Sequence, residues 1–229
     1  MEDASPRCSG GPHLAFGQGM AHLNTMTNAS QDARRSAPAT ARNRDPILSV
    51  LKRVLPHRGL VLEIASGTGE HALFFSHALP GLTWQPSDMN PEARASIDAW
   101  AAAEGPETLR PALPLNVVES PWPVRAADAV VCINMIHISP PECTPALFKG
   151  AAAILPAGGP LVLYGPFREG GTHTSESNKE FEGWLKAQDP RFGLRDLDDV
   201  ARLAADSGFT APEVTRMPAN NLSLVFQRT

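Results

Sequence analysis

Residues 63–71 read Glu63-Ile64-Ala65-Ser66-Gly67-Thr68-Gly69-Glu70-His71, between an apolar run at 59–65 (GLVLEIA) and a helical pattern over 69–79. A short apolar run ending in glycines suits a strand buried in a parallel sheet. The turn after such a strand is where an open α/β sheet binds ligands. Gly67 and Gly69 carry no Cβ, so the backbone can turn sharply and a ligand can come close. The letters G-T-G-E-H-A also satisfy the dinucleotide pattern G-x-G-x-x-G/A. Glu63 separates the two readings. An anion four residues before Gly67 repels a pyrophosphate and favours a cationic ligand.

Working outward, Asp45-Pro46 reads as an N-cap and first helical residue, followed by Ile47, Val50, Leu51 and Val54 at helical spacing. After the loop come a strand at 82–87, a helix capped by Asn90-Pro91 and running to 103, and a weaker strand at 109–115 interrupted by proline. A strand at 128–134 (DAVVCIN), a helix at 140–155 and a strand at 159–164 (GPLVLY) follow. Ser177 with Glu180 predicts a capping box opening a helix to 188, and Asp196 begins another that stops near Gly208. Two closing strands, 211–216 and 221–227, have no helix between them and so must be antiparallel. The predicted fold is α/β: a Rossmann-like, doubly wound, seven-stranded and mostly parallel sheet, with an antiparallel terminal strand and helices on both faces. Residues 1–40, rich in Gly, Ser, Pro and Ala, are expected to be a flexible leader, disordered to about residue 24, with the domain at 41–229. Met20 and Met26 stand as alternative starting methionines.

Composition narrows the function classes. The chain has 229 residues with 20 Lys+Arg against 24 Asp+Glu, a net charge of −4. No basic surplus exists to neutralise phosphates, so nucleic acid is not an expected partner. No apolar run is long enough to span a bilayer, and no charged-then-apolar leader suggests export. Cys8, Cys132 and Cys143 are few and widely spaced, so neither disulfides nor a metal site is expected. A cytoplasmic protein is expected.

The segment Glu63-x-Ala65-x-Gly67-x-Gly69 resembles the first motif of class I S-adenosylmethionine-dependent methyltransferases, acidic-x-Gly-x-Gly-x-Gly, with Ala65 in place of the first glycine. A closer resemblance is to a family of small methyltransferase-like proteins of unknown substrate found in bacteria and animals. It is carried by Ala41-Arg42-Asn43-Arg44, residues 62–71, Asn134-Met135-Ile136-His137-Ile138-Ser139-Pro140, Tyr164-Gly165-Pro166-Phe167, His173-Thr174-Ser175-x-Ser177-Asn178, Gly193-x-Arg195-Asp196 and Met217-Pro218-Ala219-Asn220-Asn221. The resemblance implies S-adenosylmethionine as cofactor and S-adenosylhomocysteine as product. It implies that Glu63 holds the methionine end, beside the backbone of Ala65, Ser66, Gly67 and Gly69.

Asp88, at the end of the second strand, stands where a carboxylate accepts both ribose hydroxyls, and the soft thioether of Met89 can lie on adenine. Asn116-Val117 occupies the place of the class's Asp-apolar pair, where an amide can serve the adenine edge. Arg44 and Asn43 could close over the cofactor or simply begin an exposed helix. A sulfonium methyl brings its own electrophile, so the protein must orient the acceptor and, where needed, take a proton. His137 is the candidate base, with Asn134 and Tyr164 as orienting partners after the fourth and fifth strands. His173 lies in a possible lid, and Asn220-Asn221 forms a turn or lines the acceptor pocket. The expected activity is methyl transfer by in-line displacement to a small-molecule acceptor. The alternatives are a nicotinamide-dependent oxidoreductase, a non-catalytic binder of the same fold, or another use of the same cofactor.

Overall fold

A computed structural model describes residues 33–229. The expected disorder up to residue 24, Cys8 and both alternative starting methionines lie outside the described residues. The elements run α1 (Pro38–Val54), β1 (Gly59–Ile64), α2 (Glu70–Ala78), β2 (Leu82–Asp88), α3 (Pro91–Glu104), β3 (Leu113–Pro114), β4 (Ala129–Ile133), α4 (Cys143–Ile154) and β5 (Pro160–Gly165). They continue with β6 (Arg168–Glu169), β7 (Thr172–His173), α5 (Glu176–Gln188), α6 (Leu197–Asp206), β8 (Glu213–Met217) and β9 (Asn221–Gln227). The seven-stranded sheet has the order β3-β2-β1-β4-β5-β9-β8. Strands β1 to β5 pair in parallel, and β9 runs antiparallel to both neighbours.

The period of two along each strand sorts the core into two layers. Leu62, Ile64, Val130, Cys132, Leu161, Leu163, Leu224 and Phe226 pack on one face with Leu147 and Phe148 of α4 and Val200 and Ala204 of α6. Val61, Val131, Ile133, Val162, Tyr164 and Val225 pack on the other with Ile47 and Leu51 of α1 and Ala72 and Phe75 of α2. The chain winds outward from β1 to the β3 edge and returns to β4, beside β1. That reversal opens a crevice at the carboxyl ends of β1 and β4.

Three local expectations change. α1 begins at Pro38 behind Ala37, and Pro46 lies inside it. Pro46 removes one N–H bond from that helix and crowds the carbonyl one turn earlier, while the buried Ile47, Leu48, Val50 and Leu51 hold the helix to the sheet. The expected strand 109–115 shrinks to Leu113–Pro114, because Pro111 and Pro114 have no N–H for a ladder. α5 is capped by Ser175, whose hydroxyl accepts from the Asn178 N–H at 3.2 Å, and not by Ser177. The Gly170-Gly171 loop forms the small β6–β7 hairpin. Among the described residues, no helix is long and apolar enough to cross a membrane, and no group of three or more His, Cys, Asp or Glu could hold a metal.

Phe148 is fully buried and meets Phe226 edge-on at 5.3 Å and Phe209 at 5.7 Å. Phe148→Ala is expected to cost about 3–5 kcal/mol in urea denaturation. A loss below about 1 kcal/mol would show that this layer is not packed as described.

Candidate functional site

The glycine loop turns through three left-handed residues: Ala65 (φ 54°), Gly67 (φ 59°) and Gly69 (φ 90°). Ala65 therefore adopts the glycine-like conformation that its place in the motif demands, at a cost of about 1 kcal/mol. The two glycines serve different ends. A Cβ on Gly69 would lie 2.8 Å from the Ile97 Cα, so this residue lets α3 pack against the loop. A Cβ on Gly67 would meet nothing within 4 Å, which leaves open space beside the backbone. The loop is pinned to the end of β2: the Ser66 N–H donates to the Ser87 carbonyl (2.9 Å), the Ser87 hydroxyl to the Glu63 carbonyl (2.7 Å), and the Gly67 N–H to Asp88 Oδ2 (3.0 Å).

Glu63 lies beneath this loop, 1% exposed, and accepts a 2.7 Å hydrogen bond from the Trp84 indole. Burial raises its carboxyl to about 7 against the stabilising Trp84 bond. Asp88 is buried and accepts from the Gly67 and Asn90 N–H groups through different oxygens, leaving each oxygen further acceptor capacity. Met89, next to it, is 66% exposed. The Leu115 N–H reaches the Asp88 carbonyl at 3.4 Å, which brings Asn116-Val117 to the same edge. The Asn116 amide itself is engaged locally: Nδ2 donates to Glu119 Oε1 (3.1 Å), and Oδ1 accepts from the Val118 N–H (3.4 Å).

After β4, Asn134 is left-handed (φ 62°) and donates its N–H to the Tyr164 carbonyl at 2.7 Å. His137 is fully buried, and its Nδ1 accepts from the Arg195 N–H at 3.2 Å. The neutral ring therefore carries its proton on Nε2, a buried atom without a partner among the described residues. A Cβ on Gly165 would come within 2.6 Å of that nitrogen, and Phe167 meets the ring edge-on at 4.7 Å. Burial, reinforced by Arg195, pushes the imidazole down to about 3. This corrects the expectation of His137 as a base: it is enclosed and too weakly basic to take a proton near neutrality. Arg195 holds the surrounding turn by donating to the Ile136 (2.8 Å) and Ser139 (2.6 Å) carbonyls, contacts that local sequence patterns do not reveal.

Tyr164 is 4% exposed on the α1–α2 face. Arg44 points over the Phe74 ring at 4.6 Å, while its neighbour Asn43 turns inward to His71 (2.8 Å). The segment before α1 is tied to the loop as well: the Ala37 N–H donates to Glu70 Oε2 (2.6 Å), and the Arg35 N–H to Ser96 Oγ (2.8 Å), which donates to the Thr68 carbonyl. His173 pairs with Glu182 at 2.5 Å. Asn220 lies in the turn between β8 and β9, where its carbonyl accepts from Asn178 at 3.0 Å, and Asn221 Nδ2 closes the same turn on the Pro218 carbonyl (3.1 Å). The structure thus gathers Glu63, the loop, Asp88, Met89 and Asn116-Val117 along one sheet edge. Asn134 and Tyr164 stand across the reversal.

A family model described as a protein of unknown function (DUF938) matches residues 34–228. Among solved structures, the chain is similar to an O-methyltransferase family protein from Burkholderia thailandensis (19% identity, TM-score 0.68, 83% of this chain and 57% of that one). It is also similar to human N-acetylserotonin methyltransferase in complex with SAM (14%, 0.68, 83% and 52%). A third is an O-methyltransferase family 2 protein from Planctomyces limnophilus in complex with apigenin (16%, 0.70, 83% and 60%). The chain spans little more than half the length of these structures. The likeness establishes the Rossmann-like methyltransferase fold.

The buried histidine has a measurable signature. Its folded value lies below the unfolded 6.5, so its stabilising contribution is complete above about 6.5 and is lost as pH falls toward 3. About 2 kcal/mol should disappear between pH 7 and 5 in urea titrations, with His71, held near 4, acting in the same direction. In His137→Asn that pH dependence should shrink. An unchanged slope would contradict the burial described.

Proposed function

We propose that this chain, which belongs to the DUF938 family, is a methyltransferase that uses S-adenosylmethionine to methylate a small-molecule acceptor. The observation that carries the proposal is Glu63, a carboxyl buried beneath a left-handed glycine loop that is open beside Gly67. A pyrophosphate would be repelled there, whereas a cationic amine supplies the charge that lets the carboxyl ionise. The residues fit the cofactor. Glu63 would hold the ammonium of its amino-acid end, and Asp88 has free acceptor capacity for the ribose hydroxyls. The exposed Met89 thioether and Val117 offer apolar contact to the adenine. Asn116 can serve the adenine edge only by giving up its local turn, so its part is secondary.

When bound, the cofactor supplies an electrophilic methyl group for in-line displacement. The chain's own task is then to orient the acceptor and keep water away. Asn134 presents its side chain at the end of β4, held by the backbone bond to Tyr164. His137 fills the space beneath Gly165 as a positioning residue, and the Arg195 clasp fixes the turn that carries both. Arg44, over Phe74, guards the side of the site near α2. A small acceptor is supported by the net charge of −4 and by relatives whose structures hold or are named for small molecules. A nicotinamide cofactor is disfavoured by Glu63.

Calorimetry tests the proposal. S-adenosylhomocysteine should bind and NAD should not. Because Glu63 must lose its proton to meet an ammonium, affinity should rise up to about tenfold per pH unit below 7 and level off above it. Glu63→Gln should weaken binding at pH 8 and flatten that dependence. NAD binding without S-adenosylhomocysteine binding would overturn the assignment, as would the same pH dependence in the variant.

A further inference from the structure

The chain between residue 33 and α1 has no regular structure, yet its main chain is tied to both α2 and α3. The Arg35 N–H donates to Ser96 Oγ at 2.8 Å, and the Trp100 indole donates to the Arg35 carbonyl at 2.9 Å. Ser96 and Trp100 stand one turn apart on α3, so one helix face grips both polar groups of a single residue. Two residues on, the Ala37 N–H donates at 2.6 Å to Glu70 Oε2, in the first turn of α2. The surface ion pairs Arg34–Glu104 (3.0 Å) and Arg35–Glu92 (3.8 Å) add little to this grip.

Ser96 and Glu70 also hold the glycine loop, both at Thr68. The Ser96 hydroxyl donates its proton to the Thr68 carbonyl at 2.8 Å, since a carbonyl can only accept and the Arg35 N–H can only donate. Glu70 Oε2, which takes the Ala37 N–H, also accepts from the Thr68 hydroxyl at 3.1 Å. The bonds of the segment and those of the loop thus meet on the same two side-chain oxygens. Hydrogen bonds in series strengthen one another. Ser96 is fully buried, so releasing the Arg35 N–H leaves its oxygen short of a donor. The other side of the loop is fixed within the sheet, where the Gly67 N–H donates to Asp88 at 3.0 Å. The open space beside Gly67 is therefore set between two clamps, and one of them is completed by residues 35–37.

We propose that residues 35–37 are a positioning element of the cofactor site, coupled to it through Thr68. Docked, the segment completes the Ser96 and Glu70 bonds that hold the loop in its ligand-ready turn. A cofactor resting on that loop holds the segment down in return, because coupling between two sites is reciprocal. The identity of the ligand rests on the function proposed above. At Arg35 the grip is on main-chain atoms, so the side chain there is free to vary. Only a change that deletes its N–H, or the indole that meets its carbonyl, releases it.

Calorimetry with S-adenosylhomocysteine on variants of the full chain tests the coupling. Arg35→Ala loses the exposed guanidinium but keeps both main-chain bonds, and should bind as the wild type does. Arg35→Pro deletes the N–H, and Trp100→Phe deletes the indole donor while keeping an aromatic ring. Arg35 is exposed and Trp100 half-buried, so neither change opens the core. Each should weaken binding about three- to tenfold, the worth of one hydrogen bond, and the double variant more. Trypsin gives the reciprocal readout, because cleavage after Arg34 or Arg35 requires the segment to lift. Saturating S-adenosylhomocysteine should slow that cleavage by about threefold or more in the wild type, and by less in Trp100→Phe. Wild-type affinity in the double variant, or cleavage indifferent to bound ligand, would overturn the coupling and leave the cofactor assignment standing. Equal losses in Arg35→Ala and Arg35→Pro would overturn the main-chain grip. If the wild type binds no S-adenosylhomocysteine, the cofactor assignment falls and the positioning role falls with it.

Discussion

A carboxyl group placed inside a protein is expensive to ionise unless something answers its charge. The carboxyl end of this sheet is arranged around that difficulty. Glu63 sits on β1, the strand from which the chain winds out to β3 and beside which it returns as β4, so its side chain is enclosed by neighbours on both sides. The Trp84 indole answers part of the charge, and burial outweighs it. The left-handed turn that follows is held by β2 through Ser87 and Asp88, which leaves the space beside Gly67 free. On the function proposed, this arrangement suits a positive group and not a phosphate.

The remaining buried ionisable groups follow the same physics with the opposite charge. His71 and His137 are both held far below the ordinary imidazole range by burial, so each acts as a fixed, neutral hydrogen-bonding ring. His137 accepts from Arg195 and fills the space under Gly165, while His71 donates to Asn43. One histidine braces the turn after β4 and the other braces α1 against α2, on the two sides of the crevice. Tyr164 stands beside the first of these turns, where its carbonyl accepts from the Asn134 N–H.

Much of the architecture was legible in the sequence because it is written in short-range patterns. The short apolar runs of β1, β4 and β5, the Asn90-Pro91 cap and the helix-free connection of the last two strands each depend on residues close in the chain. The placing of the glycine loop and Asp88 at one sheet edge was legible for the same reason, since a glycine loop and a strand-end carboxylate are local signals. What was not legible depends on distant partners. Pro46 looks like a helix start until α1 is seen to be held by its buried apolar face. Ser177 looks like a cap until Ser175 is seen in extended geometry. His137 looks like a base until Arg195, 58 residues later, is found donating to its ring. The lesser part expected of Asn116 likewise follows from its bond to Glu119, which no spacing rule predicts.

A crystal structure of the protein with S-adenosylhomocysteine tests the central claim most directly. The account predicts the ligand beside Gly67, with its ammonium on Glu63 and its ribose hydroxyls on Asp88. A ligand bound away from this edge, or bound here with Glu63 still paired only to Trp84, would contradict it.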